Sequence, residues 1–243
     1  LRSTIDSSDY DFVYFVTEGS PSHRLELDEN YKANRVSADL TEEELEYWSM
    51  FREQKDLIIK LVSEFLPITV VNHPMYEGDD VIYSIIKHRH ADGDIEIVSS
   101  DTDFIQILNE FPDRVKLYDP IRKVYRDNTP YDYVAWKAMV GDRTDNIPGV
   151  PRIGKKTATK ILTTPGELGK RKSDLNFNNA FNNSYRLIKL SSIDDDLDSI
   201  SFSESVLDSH AIRDCLEPMG FSFVSDKPSW ERYIKTFFKL EKK

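Results

Sequence analysis

Eight acidic residues fall into four short clusters along the chain: Glu18; Glu77, Asp79 and Asp80; Asp101 and Asp103; Asp142 and Asp145. Carboxylates gathered in one place repel one another unless they are protonated or share a cation. No thiolate or histidine pair accompanies them, and an all-oxygen ligand set selects Mg²⁺ or Mn²⁺. The chemistry that follows from such a set is two-metal phosphodiester hydrolysis, in which water is activated and the charge on the phosphate and the leaving oxygen is neutralised. Each cluster taken singly reads equally well as a helix N-cap, and Asp80 in particular could be only that. Repetition argues for a site. The first three clusters each follow a predicted strand, and open α/β sheets build their sites beyond the carboxyl ends of strands.

The elements that must position these acids are legible from pattern. The apolar run from Phe12 to Val16 reads as a strand that leaves Glu18 at its carboxyl end. Thr41-Glu42-Glu43-Glu44 has the form of a capping box, and Leu45, Trp48, Phe51, Ile58, Leu61 and Phe65 continue it as a long helix that ends before Pro67. Ile68 to Val71 and Ile95 to Val98 read as strands, each followed by acids and a helix, with Glu77 to Asp80 at a helix N-terminus. Two extended pieces, Arg114 to Tyr118 and Lys123 to Arg126, are joined by a turn at Asp119-Pro120. Strands alternating with helices predict an α/β class with a mainly parallel central sheet flanked by helices. From Tyr133 onward the pattern is mostly helical, with the Asn-rich stretch 176–183 and the Asp-rich stretch 194–198 read as loops.

Composition narrows the classes further. A chain of 243 residues buries most of its apolar surface, and the single Cys215 excludes both a disulfide framework and a cysteine zinc cluster. That cysteine usage fits a reducing cytoplasm. His88 and His90 sit two apart and cannot share a helical face, so zinc is not expected. No apolar run approaches the roughly 20 residues that span a bilayer, and residues 1–20 lack the pattern of a signal peptide, so no membrane partner is expected. The net charge of −11 argues against a polyanionic partner on average. Local sign runs the other way at Arg152, Lys155, Lys156 and Lys160, and again at Lys170, Arg171 and Lys172.

Four motifs carry a resemblance to a known family: Tyr31-Lys32-Ala33-Asn34-Arg35; Tyr76-Glu77-Gly78-Asp79-Asp80-Val81; Ser99-Ser100-Asp101-Thr102-Asp103; and Gly141-Asp142-Arg143-Thr144-Asp145-Asn146-Ile147-Pro148-Gly149-Val150. In this order and spacing the chain resembles the 5′-nuclease family of bacteriophage 5′ to 3′ exonucleases and flap endonucleases, related also to the 5′-nuclease domain of bacterial DNA polymerases. The resemblance implies a PIN-like core over 1–132, with a helical arch at about 24–66, and a helical DNA-binding region over 133–243. It implies metal ligation by Glu77, Asp79, Asp80, Asp101, Asp103, Asp142 and Asp145, and contact of Lys32 and Arg35 with the phosphates around the scissile bond. Without the motif, Lys32 and Arg35 would read as a solvated helix end. The implied substrate is DNA with 5′ flaps, overhangs, nicks or ends, with RNA–DNA hybrids in reach, acted on by a monomer alongside replication proteins.

Two positions depart from the family pattern. Glu18 stands where the family has Asp, so a metal contact there would be looser by one methylene. No strand of the Val-Asp-Gly kind precedes Phe12: either such a strand lies upstream of Leu1, the favoured reading, or the site has one acid fewer.

In the stretch from Gly149 to Ala158 two glycines, Gly149 and Gly154, precede a predicted helix with Arg152, Lys155 and Lys156 around its start. Glycine lets backbone approach a phosphate, and a helix N-terminus offers free N–H groups and a favourable dipole. Read alone, the stretch is a turn before a helix, and without a preceding strand it is a weak match to a P-loop, so an NTPase is not expected. The resemblance makes it part of a helix-three-turn-helix at about 135–163 that holds duplex backbone without reading bases. It also implies K⁺ bound by the loop carbonyls of Val150 and Ile153. Met139, Trp136, Trp230 and Phe237 read as core. Two rival functions stand beside the nuclease: a structure-specific DNA-binding protein with an impaired metal site, and a PIN-type ribonuclease.

Overall fold

The computed structural model describes residues 2–7, 9–35 and 40–241. Its elements run α1 (Arg2–Ser7), β1 (Tyr14–Val16), α2 (Ser22–Leu27), α3 (Glu42–Phe65), β2 (Thr69–Asn72), α4 (Gly78–Ser84), β3 (Ile95–Val98), α5 (Ile105–Glu110), β4 (Val115–Asp119), β5 (Val124–Arg126), α6 (Tyr133–Val140), α7 (Lys155–Thr163), α8 (Glu167–Lys172), α9 (Leu175–Ile188), β6 (Ser201–Ser203), α10 (Ser209–Leu216), α11 (Ser222–Ser225) and α12 (Lys227–Glu241). Local signals account for several boundaries. The Thr41 side chain accepts the Glu44 N–H, while the Glu44 carboxylate accepts the Thr41 N–H at 2.8 Å, so the capping box that opens α3 is complete. Asp119 Oδ1 accepts the N–H groups of Ile121 and Arg122, both at 3.0 Å, which closes the turn between β4 and β5.

The chain forms two compact units. The first comprises Leu1–Gly19, Asp39–Pro74 and Asp198–Lys243, the second Ser20–Ala38 and Met75–Leu197. Both units draw on both sides of residue 132, so grouping by contact cuts across a division made there on sequence character. In the first unit β1 pairs parallel with β2, Phe15 opposite Val70, and β2 pairs antiparallel with β6, Val71 opposite Phe202. Its core gathers Ile5, Val62, Leu66, Ile68, Val70, Ile212, Trp230, Ile234 and Phe237. The apolar stripe of α3 is buried only toward its C-terminal end; Leu45, Tyr47, Trp48, Met50, Phe51 and Ile58 remain exposed.

The second unit carries β3 parallel to β4 and β5 antiparallel to β4, with Ile97 opposite Leu117 and Tyr118 opposite Tyr125. The α/β class is as expected; in place of one mainly parallel central sheet, the described residues form two three-stranded sheets that each mix one parallel and one antiparallel pairing. One core of this unit centres on Ile86, Phe104, Ile107 and Leu117, the other on Ala138, Met139, Ile147, Ala158, Ile161 and Phe181.

The Asn-rich stretch 176–183 is a correction: it lies inside α9, not in a loop. Asp174 caps the helix by accepting the Phe177 N–H at 2.8 Å. Phe177, Phe181, Ser184 and Ile188 recur at helical spacing and are buried, while Asn176, Asn179, Asn182 and Asn183 face solvent. Periodicity of the buried face outweighs the low helix preference of asparagine. No helix among the described residues is long and apolar enough to cross a membrane.

Candidate metal centre

The second unit brings two groups of carboxylates together: Glu77, Asp79 and Asp80 in one, Asp103, Asp142 and Asp145 in the other, each with ligand atoms within 4.8 Å. The first group sits where the chain enters α4. Glu77 is the N-cap residue, extended at φ −74° and ψ 159°, and Asp79 and Asp80 occupy the first turn, where the helix dipole favours acids. Burial and the neighbouring Asp80 charge push the Asp79 carboxyl above its ordinary range. Carboxylate oxygens are the only donors in both groups, which fits a hard divalent ion such as Mg²⁺ or Mn²⁺.

The second group depends on a folded-back loop. Asp142 and Ile147 exchange backbone hydrogen bonds of 2.8 and 2.7 Å, the Asp142 carboxylate accepts the Thr144 N–H at 2.8 Å, and Asn146 takes a left-handed φ of 59°. Asp103 arrives from the turn before α5, where its N–H donates to the Asp101 carboxylate at 2.8 Å. Asp101 itself is exposed and turned toward this local bond.

Basic groups hold the carboxylates in place. Lys137, buried on α6, reaches both Asp103 and Asp142, the latter at 2.7 Å. Burial raises the Asp103 carboxyl to about 6, with Lys137 opposing the rise; at Asp142 the same ammonium outweighs burial and holds the carboxyl below its usual value. Lys32 pairs with Glu77 and Arg35 with Asp145. The Lys32 N–H donates to the Asp145 carbonyl at 3.0 Å, from a residue whose φ is 58°. Tyr31 bridges the two groups, its hydroxyl 3.0 Å from Glu77 and 3.3 Å from Asp145. Burial, with both carboxylates nearby, raises that phenol far above its ordinary pKa, so it is a hydrogen-bond donor here.

Of the residues singled out by sequence, Glu77, Asp79, Asp80, Asp103, Asp142 and Asp145 converge in these two groups, with Lys32 and Arg35 against them. Glu18 lies in the first unit, two residues past β1, with its carbonyl accepting from Asn72 Nδ2 at 3.3 Å. Within its group Asp80 is fully buried, and its oxygens also take the Arg24 guanidinium at 2.9 Å and the Ser191 N–H at 2.7 Å. Arg24 and Lys137 join the site without belonging to any of the sequence motifs. Lys137 had a signal, a lone ammonium in the otherwise apolar helix YVAWKAMV; for Arg24 no local signal exists, because its partners are remote in sequence.

The loop beyond the centre keeps its tight form through glycine. Gly149 has φ +72°, and Val150 is buried with its N–H on the Met139 carbonyl at 2.9 Å. The Val150 carbonyl accepts the Ile153 N–H at 3.1 Å. Gly154 caps α7, whose first residues Lys155 and Lys156 are exposed, as is Arg152.

Two family models match this chain: the 5′-3′ exonuclease N-terminal resolvase-like domain over residues 1–138, and the 5′-3′ exonuclease C-terminal SAM fold over 128–201. Thermostable DNA polymerase I of Thermus thermophilus is 33% identical over 178 residues, which covers 69% of this chain and 20% of the polymerase. DNA polymerase I of Streptococcus pneumoniae is 34% identical over 161 residues, covering 62% of this chain and 17% of the relative. The chain thus spans about a fifth of the length of the curated relatives it matches. Among solved structures, the bacteriophage T5 flap endonuclease in a complex with DNA and metal ions superposes with a TM-score of 0.67 at 20% identity, covering 100% of this chain and 88% of that one. The T5 5′-exonuclease with bound zinc gives 0.62 at 21% identity, covering 98% and 88%. At these identities the likeness is one of fold.

Proposed function

Because the chain belongs to the 5′-3′ exonuclease family, we propose that it is a divalent-metal-dependent 5′ nuclease that hydrolyses DNA at 5′ ends and flaps and leaves 5′-phosphate products. The observation that carries this reading is the pair of carboxylate groups, each closed to within 4.8 Å, with Lys32 and Arg35 against them. Glu77, Asp79, Asp103, Asp142 and Asp145 would hold two Mg²⁺ or Mn²⁺ ions, with Asp101 beside them. When bound, the ions supply Lewis acidity toward water and the scissile phosphate.

The chain's own residues account for the remainder of the work. Lys32 and Arg35 meet the scissile phosphate, where a fixed positive charge counts most as negative charge builds. Tyr31 ties the two carboxylate groups to one spacing. Arg152, Lys155 and Lys156, with Gly149 and Gly154, hold duplex backbone without reading bases, and the Val150 and Ile153 carbonyls would hold K⁺ there. Flaps, overhangs, nicks and RNA–DNA hybrids are the substrates this arrangement suits, bound by a monomer in the cytoplasm of a bacterium or phage-infected host, alongside replication proteins.

The test is cleavage of an end-labelled 5′-flap duplex in Mg²⁺ and in EDTA, by wild type and by Asp103→Asn with Asp142→Asn. Metal-dependent cutting near the flap junction that the double variant loses while still binding the flap supports the reading. Flap binding without cutting in Mg²⁺ or Mn²⁺ would make the protein a binder, and a preference for single-stranded RNA would make it a ribonuclease.

A further inference from the structure

We propose that Asp80 is not a metal ligand but half of a buried clamp with Arg24 that positions Glu77 and Asp79. The assignment deepens the nuclease reading and rests on it only for its kinetic arm. Both side chains are sealed from solvent, Arg24 at 2% and Asp80 at 0% exposure. The guanidinium donates Nη2 to Asp80 Oδ1 at 2.9 Å, Nη1 to both Asp80 Oδ2 and Glu77 Oε2, the latter at 2.7 Å, and Nε to the Leu187 carbonyl at 2.8 Å. Asp80 Oδ1 also accepts the Ser191 N–H at 2.7 Å, and His23 Nε2 stands 3.5 Å from Oδ2. Each carboxylate oxygen has two lone-pair sites; three of the four on Asp80 take hydrogen bonds from Arg24 and Ser191, and the remaining side of Oδ2 faces the His23 ring, whose Nε2 makes no hydrogen bond.

A ligand must turn a free lone pair toward the ion. Asp80 Oδ1 has both of its sites taken, and Oδ2 is held by the same buried guanidinium, so turning Asp80 toward an ion would loosen that pair, and an uncompensated buried charge is strongly unfavourable. Asp79 has no such engagement: its Oδ1 accepts only the adjacent Asp80 N–H, at 2.9 Å. The planar fork of arginine suits this duty, because one rigid group can grip α4 through Asp80, the N-cap through Glu77 and the end of α9 through Leu187 at fixed angles. Ser84 completes the tie, donating to the Asp80 carbonyl at 2.8 Å and accepting the Ile193 N–H at 3.0 Å. The clamp thereby sets where Glu77 and Asp79 point, as outer groups orient the inner ligands of metal sites.

The experiment compares Asp79→Asn, Asp80→Asn and the paired Arg24→Met with Asp80→Leu by urea denaturation, by Mn²⁺ binding followed by electron paramagnetic resonance, and by single-turnover flap cleavage against Mg²⁺. Asp80→Asn is expected to lower the denaturation midpoint more than Asp79→Asn does, yet to bind as many Mn²⁺ ions as wild type with affinity within about threefold. Asp79→Asn is expected to weaken Mn²⁺ binding at least tenfold. The paired variant, which removes both buried charges, is expected to recover most of the stability and keep the ion count, while its rate at saturating Mg²⁺ stays about tenfold below wild type. Loss of an ion or a tenfold loss of affinity in Asp80→Asn, or in the paired variant should the single one fail to fold, would overturn the clamp and make Asp80 a ligand. A paired variant that cleaves at the wild-type rate would also overturn it, by leaving Arg24 and Asp80 a merely structural role. Wild type that never cleaves would refute the nuclease reading alone, since ion count and stability still decide the clamp.

Discussion

The backbones of Gly141 and Gly149 face each other so closely that a Cβ on Gly149 would lie 2.5 Å from the Gly141 nitrogen, and one on Gly141 would lie 2.8 Å from the Gly149 nitrogen. Both residues also have positive φ, 81° and 72°. This double requirement holds the loop that carries Asp142 and Asp145. Gly149→Ala is therefore expected to cost about 2–4 kcal/mol, the sum of a left-handed alanine and an overpacked contact. Gly154→Ala, where a Cβ meets nothing within 4 Å, is expected to be nearly neutral. Urea midpoints of the two variants check this, and equal midpoints would remove the steric account.

Asp103 gives a pH signature with a definite sign. Burial raises its folded-state pKa to about 6 from an ordinary 3.8, so between those values the folded protein holds a proton that the unfolded chain has lost. Stability of the metal-free protein then falls as pH rises from about 4 to 6 and levels off above, relative to an Asp103→Asn variant that lacks the titration. The difference in urea midpoint between wild type and Asp103→Asn, taken at half-unit pH steps, measures it. A difference that is flat across this window would show that Asp103 titrates normally.

Lys32 separates chemistry from affinity. On the proposed reading its ammonium gains most when charge builds on the phosphate, so Lys32→Ala is expected to lower the single-turnover rate by about 10² to 10³ while weakening flap binding far less. Lys32→Arg is expected to rescue only partly, because the fork is larger and its charge more diffuse. Equal losses in rate and binding on one flap substrate at saturating Mg²⁺ would mean that Lys32 only grips the DNA.

The exposed pair at the start of α7 tests the grip on duplex. Lys155→Ala with Lys156→Ala is expected to weaken binding to all duplex sequences alike and to reduce the slope of log K against log salt by up to about two contacts. An unchanged slope would place these lysines off the phosphates.

What could be read in advance follows the range of the interactions. Ile95–Val98 is a strand residue for residue, and the capping box at Thr41 starts α3 where its pattern says, because both signals are local. The carboxylate groups were legible too, since the motifs that carry Glu77, Asp79, Asp103, Asp142 and Asp145 are short and contiguous. The engagement of Asp80 was not legible: its partner Arg24 lies 56 positions away, and Arg24 in turn bonds Leu187 across 163. The stretch 176–183 was misread for a related reason. Its asparagines announce a loop, whereas the phenylalanines between them are buried only because the rest of the unit covers them.

The remoteness of these partners has a kinetic consequence. The hydroxyl of Tyr31 reaches Asp145 across 114 positions, and the Ser191 N–H reaches Asp80 across 111. Contacts of such separation reward the chain only after large loops have closed, so they are expected to form late in folding, after the local helices and hairpins. Interactions absent from the transition state act on the unfolding rate alone. Any ion bound between these carboxylates therefore prolongs the lifetime of the native state and leaves the speed of folding almost untouched.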